Sequence, residues 1–499
     1  MMATYSMRRK MLLISRLSLI GLFVLIGGYA VPKILSKDGM IAPHTDSVTF
    51  SKKIVTSGLR DPWELTEGPD ENLWLTESKS YRVLQIDPKS GAQTVLADLA
   101  KNRNFHAGDD TDGNGIPWPQ GGLMGMALHP QLLNGSPYVY LAYVHTHTKG
   151  NRFLVRLERY KYNSEKKALI EPQIICDTVP ASNDHNGGRM TIANVGGKPY
   201  LFYAVGDMGS GQFSNGGTPN QAQNVLSYEG KILRYALEPK EGAAGEASWI
   251  PADNPFDDTK KTAVWSTGHR NPQGLASAVI DGKELLFSSE HGPYSDDEVN
   301  LIYKGKNYGH PLIIGYADGN YDGLAASVSD NKNYPGKWHT SYPLISSERE
   351  NVNRLGKSTY QEPIKSFYPT SNSHLKALFS SVQRGQKSEW KAWAPAGIAI
   401  YTANNIPGWK NSVLIATLKG GTLLQLKLND KGQVAGEVVE HEKGNLRYRD
   451  IEVSKNGNIL YLITDSSSVT SGPSASEPAS TNCRGCIIQL QYTSPQRTR

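Results

Sequence analysis

Short runs of alternating hydrophobic and polar residues recur along this chain of 499 residues. Alternation with a period of two is typical of β-strands that bury one face. In each copy, one strand ends in small or acidic residues, and a loop and a second short strand follow it. The leading strands of the six copies read NLWLTES, PYVYLAY, PYLFYAVGDMG, ELLFSSEHGP, NSVLIATLKGG and GNILYLITDSS, beginning at residues 72, 137, 199, 284, 411 and 457.

Six copies of a β-rich unit predict an all-β protein, a six-bladed β-propeller around a central channel. The 49 glycines and 28 prolines supply turns, and the 25 tyrosines suit strands. The copies are unevenly spaced, and the largest gap, roughly 309–393, predicts a long, loop-like insertion. Long loops in compact domains usually carry function, so we expect functional loops on one face.

The first forty residues have a different pattern. A basic stretch at 7–10 precedes an apolar run over 17–31, which is the arrangement of an export signal. Cleavage near the small residues at 28–30 and retention as a membrane tether both stay open. We therefore predict a signal peptide or anchor at 1–40 and the propeller at 41–499. The positive-inside rule places the propeller in the periplasm or elsewhere outside the cytoplasm.

Charge and cysteine content narrow the function classes. The net charge is +6, but part of the excess lies in the amino-terminal segment, so no nucleic-acid-binding face is expected. Cys483 and Cys486 form a CRGC motif, which we interpret as a local disulfide in an oxidising compartment, with a redox role as the alternative. Cys176 is expected to be a buried thiol. Ile487 stands where a haem-attachment motif needs histidine, which argues against covalent haem.

Polar residues follow the leading strand in several copies. Asp207, the segment 290–297, Lys419 and Asp465 all occupy this place. Because equivalent strand ends share one face of a propeller, these residues are expected to converge on one mouth of the channel and form a polar pocket.

Two turns carry candidate chemistry. SNDHNGGRM places Asp184 and His185 in a glycine-rich turn, where a histidine suits a general base and a surface histidine is the alternative. STGHRNPQGLA contributes Arg270, Asn271 and Gln273, and its alternative is a turn whose side chains bond the local backbone.

Oxygen donors and cations suggest an ion and an anion. EHGPYSDDEVN offers the Gly292 and Pro293 carbonyls beside acidic residues, a density that suits Ca²⁺, although a solvated acidic loop has the same sequence pattern. LRYRD puts Arg447 and Arg449 on one face of a strand, which favours a bound anion or, alternatively, a solvated edge strand. The loop at 108–115 matches a calcium loop only partly, and we interpret it as a turn-rich loop with at most a weak ion site.

The chain resembles a known family over nearly its whole length. The matching stretches run in family order from about Gly58 to Tyr492, and they are GPDENLWLTES, QGGLMGMALHP, NDHNGGRM, YAVGDMGSGQ, TGHRNPQGLA, SEHGPYSDDEVNLIYKGKNYGHP, IPGWKNSVLIATLKGG and RYRDI. It is similar to the soluble quinoprotein glucose and aldose sugar dehydrogenases, which bind pyrroloquinoline quinone (PQQ). The resemblance implies a six-bladed propeller that uses PQQ and Ca²⁺ to oxidise an aldose to its lactone. Electrons would pass to an external acceptor, either a quinone or a soluble carrier.

The resemblance also implies residue roles. His185 matches the base that takes the proton from the anomeric hydroxyl before hydride transfer to the quinone. Asp207 matches the carboxylate that orients this base, and Arg270 matches a residue near the quinone oxygens. The other implied contacts are Asn271, Gln273, Lys419, Arg447 and Arg449 for the cofactor, Gly292, Pro293 and the nearby Asp297 for the metal, and Gln120, Asp184, Gln212 and Trp390 for the sugar.

Two departures from the family leave properties open. The segment before WAPAGIAIY reads RGQKSEWKAW, in which Trp390 alone keeps an aromatic role, so the preferred sugar stays open. The dimer-associated calcium site of the family is matched at Tyr316 and Asp318 alone, so both a monomer and a dimer remain possible.

Two other functions explain less of the sequence. A calcium-dependent hydrolase such as a lactonase leaves Arg270, Lys419, Arg447 and Arg449 without a task, because a neutral lactone needs no cation. A non-catalytic binding propeller predicts loss of the catalytic set, yet His185 is present together with these cations.

Overall fold

The computed structural model describes residues 48–103, 120–147, 152–256, 262–444, 446–466 and 483–493. Within these ranges, 24 strands form six antiparallel sheets of four strands each. The innermost strand of every sheet contacts the innermost strands of the two neighbouring sheets, so the sheets close into a ring. The prediction of an all-β, six-bladed propeller is confirmed.

The blades follow one another along the chain, and within a blade the strands run from the channel outwards. Blade 1 consists of β2 (Pro62–Glu67), β3 (Leu73–Glu77), β4 (Arg82–Ile86) and β5 (Gln93–Asp98). Blade 2 consists of β6 (Leu123–Leu128), β7 (Tyr138–His147), β8 (Arg152–Asn163) and β9 (Ala168–Pro180). Blade 3 consists of β10 (Gly187–Val195), β11 (Lys198–Val205), β12 (Lys231–Ala236) and β13 (Val264–Thr267). Blade 4 consists of β14 (Pro272–Ile280), β15 (Lys283–Glu290), β16 (Asp297–Leu301) and β17 (Lys365–Phe367). Blade 5 consists of β18 (Pro395–Tyr401), β19 (Ser412–Thr417), β20 (Leu423–Lys427) and β21 (Val439–His441). Blade 6 consists of β22 (Tyr448–Val453), β23 (Ile459–Thr464), β24 (Ile487–Thr493) and β1 (Thr49–Thr56).

Blade 6 closes the ring with strands from both ends of the described chain. Strand β1 pairs antiparallel with β24, with Thr49 opposite Thr493 and Ile54 opposite Ile488. The last blade is therefore completed by the first strand, which ties the two ends of the propeller together.

The sequence copies correspond to the second and third strands of each blade, so the strand interpreted as the first in each copy is in fact the second. The inner strands lack a clear alternation because each begins with a run of residues that are buried on both faces. Strand β6, LMGMAL, is buried at five of six positions. The outer strands of blades 4 and 5 are only three residues long.

The insertion between β16 and β18 is more ordered than its loop-like sequence predicted. Besides β17, it contains α1 (Glu348–Leu355) and α2 (Asn372–Gln383), whose first turns are capped by the Ser347 and Ser371 side chains. Buried aromatic and aliphatic residues give the insertion a core of its own, which includes Tyr321, Trp338, Leu375 and Phe379.

Three further expectations concern cysteines and the termini. Cys483 and Cys486 are disulfide-bonded and Cys176 is a buried free thiol, as predicted. The amino-terminal segment 1–40 and the loop 108–115 lie outside the described residues, so both stay predictions. Among the described residues, no helix has the length and apolar character needed to cross a membrane.

Candidate active site

The polar ends of the second strands converge at one mouth of the channel, as the repeat predicted. The backbone N–H of Asp207, after β11, donates to the Arg270 carbonyl at 2.7 Å. Arg270 in turn donates to the Gly292 carbonyl at 3.0 Å, and Arg449 donates to Gln273 Oε1 at 2.9 Å. Segments from blades 3, 4 and 6 therefore meet in one hydrogen-bonded cluster.

His185 lies on the turn that enters β10, between Asp207 and Gln212. The His185 backbone adopts a positive φ of 50°. Its carbonyl lies so close to Gly206 that a side chain at position 206 would collide with the His185 carbonyl oxygen. His185 Nδ1 lies 2.7 Å from Asp207 Oδ1, and its Nε2 lies 2.9 Å from Gln212 Nε2. This network assigns the proton to Nδ1 and leaves Nε2 as an acceptor, which is the form a general base requires.

Asp207 is fully buried and accepts hydrogen bonds on both oxygens. Its Oδ2 lies 2.9 Å from Asn220 Nδ2, 2.8 Å from His310 Nε2 and 2.7 Å from Tyr342 OH. Burial by itself would raise the pKa of Asp207, but its electrostatic interaction and hydrogen bond with His185, together with the hydrogen bond from His310, outweigh burial and hold this pKa below its usual range. The carboxylate therefore stays ionised beside the base.

Asn220, His310 and Tyr342 were not anticipated from the sequence. His310 and Tyr342 belong to the insertion, where no repeat pattern signals which side chains turn inwards. The GHP triplet that contains His310 ends one of the family-like stretches, and this was the one available signal.

The residues expected to contact sugar surround the base. Gln120 Nε2 donates to Asp184 Oδ1 at 2.5 Å, while its Oε1 accepts from the backbone N–H of His185 at 2.9 Å. Gln212 Nε2 also donates to Asp184 Oδ2 at 2.7 Å. The structure thus brings Gln120, Asp184 and Gln212 together at the face of His185 that carries Nε2.

Arg270 links this group to the proposed metal loop. Its guanidinium donates to Gln212 Oε1 at 2.7 Å and to the carbonyls of His291 and Gly292 at 3.0 Å each. Beneath it, buried Glu290 accepts the backbone N–H groups of Arg270 and Asn271.

His269 lies 3.1 Å from Glu290 through Nδ1 and stacks on Tyr308, with ring centroids 4.7 Å apart. It is fully buried. The histidine of STGHRNPQGLA therefore supports Glu290 and does not face the mouth.

Arg447 and Arg449 both donate hydrogen bonds to the Asp465 carboxylate. Arg449 Nε and Nη2 lie 2.8 and 2.9 Å from the two oxygens of Asp465, and Arg447 Nε lies 3.2 Å from Oδ2. Burial opposes ionisation of Asp465, yet the charges of Arg449 and Arg447 outweigh it and lower its pKa. Both arginines are buried on or beside the innermost strand β22, so the alternative of a solvated edge strand is wrong. The three side chains Arg447, Arg449 and Asp465 together carry a net positive charge.

Lys419 and Trp390 form the side of the mouth next to the insertion. Lys419 Nζ donates to the Trp390 carbonyl at 2.6 Å and lies 4.8 Å from the centre of its ring. The Trp390 ring packs edge-on against Tyr294, which packs against Phe379 of α2. The insertion therefore supports Trp390 from behind.

Asp297 braces the proposed metal loop through backbone N–H groups. Its Oδ1 accepts from Gly292 at 2.9 Å, and its Oδ2 accepts from Trp393 and Ala394 at 2.7 and 3.0 Å. Burial raises the pKa of Asp297 to about 6 against these hydrogen bonds. Among the described residues, no group of three or more His, Cys, Asp or Glu side chains is placed to hold a metal ion. A metal here would depend on carbonyl oxygens and on oxygens of a ligand.

Two buried donors at the mouth have no partner among the described residues: Arg270 Nε and Asn271 Nδ2. Buried donors are almost always satisfied in folded proteins. They therefore suit a ligand that is rich in oxygen acceptors and lies between the base and the arginines.

Comparison with known proteins places the chain in a family. The model of the family described as glucose/sorbosone dehydrogenase matches residues 59–343 and 379–470. The chain belongs to this family. Quinoprotein glucose dehydrogenase B of Acinetobacter calcoaceticus is 32% identical over 475 residues, which cover 89% of this chain and 92% of the relative.

Two further comparisons agree with the family assignment. Aldose sugar dehydrogenase YliI of Escherichia coli K12 is 26% identical, covering 88% of this chain and 96% of the relative. The PQQ-bound aldose sugar dehydrogenase of Streptomyces coelicolor has the same fold, with a TM-score of 0.57, 24% identity and coverage of 89% and 99%.

In this glucose/sorbosone dehydrogenase family member, the family match is interrupted over 344–378, which contains α1 and the start of α2. His310 and Tyr342 lie within the matched range. Helix α1 and the first part of α2 thus lie in the internal gap of the family match, and Phe379 is the first residue of the second matched segment.

Proposed function

We propose that the protein is an exported aldose dehydrogenase that uses PQQ and Ca²⁺ to oxidise the anomeric carbon of aldoses to lactones. Electrons then pass to an external quinone or soluble carrier. The observation that carries this proposal is the meeting, at one channel mouth, of the His185–Asp207 pair and the positively charged Arg447–Arg449–Asp465 group. The named relatives support the substrate class.

The residues of the mouth fit PQQ, a planar quinone that carries several carboxylates. Arg447, Arg449 and Lys419 would hold the carboxylates, because buried charge-assisted hydrogen bonds are the strongest available to them. The unpartnered N–H groups of Asn271 and Arg270 would donate to quinone oxygens. When bound, the cofactor supplies the acceptor for the hydride.

The carbonyls of Gly292 and Pro293 would hold Ca²⁺, because calcium prefers hard oxygen ligands. Asp297 would act by fixing the loop that presents these carbonyls, since both its oxygens accept backbone N–H groups. The ion would contribute Lewis acidity beside the cofactor.

The protein's own residues handle the proton. His185 Nε2 accepts it from the anomeric hydroxyl, and Asp207 stabilises the imidazolium that forms. The sugar is oriented by Gln120, Asp184 and Gln212. On binding, the sugar hydroxyl replaces the Gln212 N–H as the hydrogen-bond donor to His185 Nε2. Arg270 contributes positive charge where negative charge develops.

The test is reconstitution of the purified protein with PQQ and Ca²⁺. We expect a bound-cofactor absorption spectrum and dye reduction that depends on aldoses, both weakened in Arg449→Leu and unchanged in Lys431→Gln, which removes an exposed cation on blade 5. Absence of a spectrum and of turnover with several aldoses would refute the proposal. Hydrolysis of a lactone with Ca²⁺ alone would favour a lactonase instead.

Export is a separate part of the proposal, motivated by the basic and apolar pattern of residues 1–40. Fractionation of producing cells is expected to place the protein outside the cytoplasm. The mass of the purified chain distinguishes a cleaved signal from a retained anchor. Accumulation of full-length protein in the cytoplasm would overturn export without affecting the catalytic proposal.

A further inference from the structure

Asp207 holds two histidines, of which only His185 has a place in the proposed chemistry. His310 Nε2 lies 2.8 Å from Asp207 Oδ2, on the oxygen opposite the one that faces His185. His310 is 4% exposed, and its ring packs edge-on against Tyr342, with centroids 5.5 Å apart. The second histidine is therefore built into the support of the base.

We propose that His310 is a positioning residue that limits the proton affinity of His185 by sharing its carboxylate. The inference rests on the proposed role of His185 as the base. It goes further, because it names the group that tunes this base.

The tautomer of His310 follows from its surroundings. Nε2 faces the Asp207 carboxylate and therefore carries a proton. Nδ1 is buried and has no hydrogen-bond partner among the described residues. Protonation of Nδ1 would bury an N–H without an acceptor, which is costly. His310 thus stays neutral, and burial is the main cause that lowers its pKa.

The groups around His310 do not change this assignment. Burial of His310 opposes protonation of its ring, and so does the charge of Arg270. Asp207 and Glu290 favour protonation, but burial is the larger effect and the pKa of His310 is lowered. Tyr342 stays neutral, because burial and the nearby Asp207 charge raise its pKa well above the usual value. His310 therefore acts as a neutral N–H donor to Asp207.

A neutral donor on Oδ2 draws carboxylate charge away from His185. The imidazolium of His185 is stabilised by the charge that remains on Oδ1. Removing the His310 donor is thus expected to strengthen the His185–Asp207 interaction and to raise the pKa of His185. A base that binds its proton too tightly is protonated at neutral pH and cannot accept another.

The experiment compares His310→Leu, which removes the donor, with His310→Gln, which keeps an amide N–H at the position of Nε2. The pKa of His185 is measured by histidine-selective NMR titration of the protein without added cofactor. We expect His310→Leu to raise this pKa by about half a unit to one unit, and His310→Gln to leave it near the wild-type value. His441→Leu, a histidine substitution on blade 5, is the matched control.

Tyr342→Phe provides a second variant in case His310→Leu does not fold. It removes another donor from the same Asp207 oxygen and is expected to shift the pKa of His185 upwards too. In reconstituted enzyme, the acidic limb of kcat/KM should move in parallel. An unchanged pKa of His185 in both donor-lacking variants would overturn the proposal, as would equal shifts in His310→Leu and His310→Gln. Absence of dehydrogenase turnover in wild-type protein would instead refute the proposed function.

Discussion

Asp207 and Asp465 occupy the same place in opposite blades, yet they serve different chemistry. Each follows the second strand of its blade, β11 in blade 3 and β23 in blade 6, and each is buried with a lowered pKa. Asp207 accepts from neutral donors and leaves negative charge beside His185. Asp465 accepts from Arg447 and Arg449 and leaves a net positive charge. The partners, and not the carboxylate or its place in the fold, decide whether the site takes up a proton or an anion.

The two sides of the channel mouth therefore differ in charge. In the proposed function, the blade 6 side would attract the anionic part of a ligand, and the blade 3 side would take a proton from a hydroxyl group. Gln273 and Arg270 of blade 4 contact the two sides, through Arg449 and Gln212 respectively. Substitutions on one side should therefore affect anion binding and substitutions on the other should affect proton uptake.

The largest expected effect is that of Asp207→Asn. An amide can donate its own N–H to His185 Nδ1 and so favours the tautomer in which Nε2 carries the proton. Turnover is expected to fall by about 10³-fold or more, since loss of the orienting carboxylate disables such a base. The dissociation constant for PQQ, measured by absorbance titration, should change little. Equal losses of turnover and cofactor binding would break the separation of the two sides.

Asp465→Asn is expected to act on stability. Removing one partner of a buried ion pair leaves uncompensated charge, so the free energy of unfolding should fall by about 3–5 kcal/mol. Part of this loss should return on addition of PQQ, whose carboxylates then compensate the arginines. Denaturant unfolding with and without PQQ measures both effects, and a loss that PQQ does not reduce would contradict the account.

The Asp465 effect should also depend on pH. The folded-state pKa of Asp465 is lowered, so its stabilisation is present above the ordinary aspartate pKa and is lost as pH falls towards the folded-state value. The difference in unfolding free energy between wild type and Asp465→Asn should therefore be constant from about pH 5 to 8 and shrink below about pH 4. A difference that grows on acidification would show that the sign is wrong.

Arg449→Leu should weaken the cofactor site without altering the base. A hydrogen bond to a charged group contributes about 1.5–3 kcal/mol, so the Kd for PQQ is expected to rise by about 10- to 150-fold. At saturating PQQ, kcat should stay within a few-fold of wild type. Isothermal titration and steady-state kinetics separate the two outcomes, and a kcat defect that saturation does not remove would contradict the separation.

Trp390→Leu is expected to have the smallest effect. Loss of an aromatic contact is worth about 0.5–1.5 kcal/mol, so KM for the preferred aldose should rise by roughly 2- to 10-fold while kcat is nearly kept. Comparing several aldoses shows whether their order changes. Unchanged KM values for all of them would remove Trp390 from the sugar site.

Residues that follow a repeated strand could be predicted from the sequence. The repeat placed Asp207, Lys419 and Asp465 at one mouth, and the family resemblance singled out His185, which the structure brings against Asp207. The inner strands were missed because a run of buried residues on both faces of each strand removes the alternation that reveals a strand.

The support of the base could not be predicted. His310 and Tyr342 reach Asp207 across 103 and 135 residues of chain, from an insertion without a repeat. His269, next to Arg270 in the same turn, is held in the core by Glu290 and Tyr308. Such contacts depend on tertiary packing, which local sequence patterns do not encode.

The most direct test of the two-sided mouth is a single-turnover measurement on His185→Gln loaded with PQQ and Ca²⁺. The oxidised cofactor spectrum is recorded first, and aldose is then added without an electron acceptor. We expect the spectrum of wild-type enzyme before mixing and a reduction rate at least about 10²-fold slower after mixing. Reduction at the wild-type rate would contradict the account.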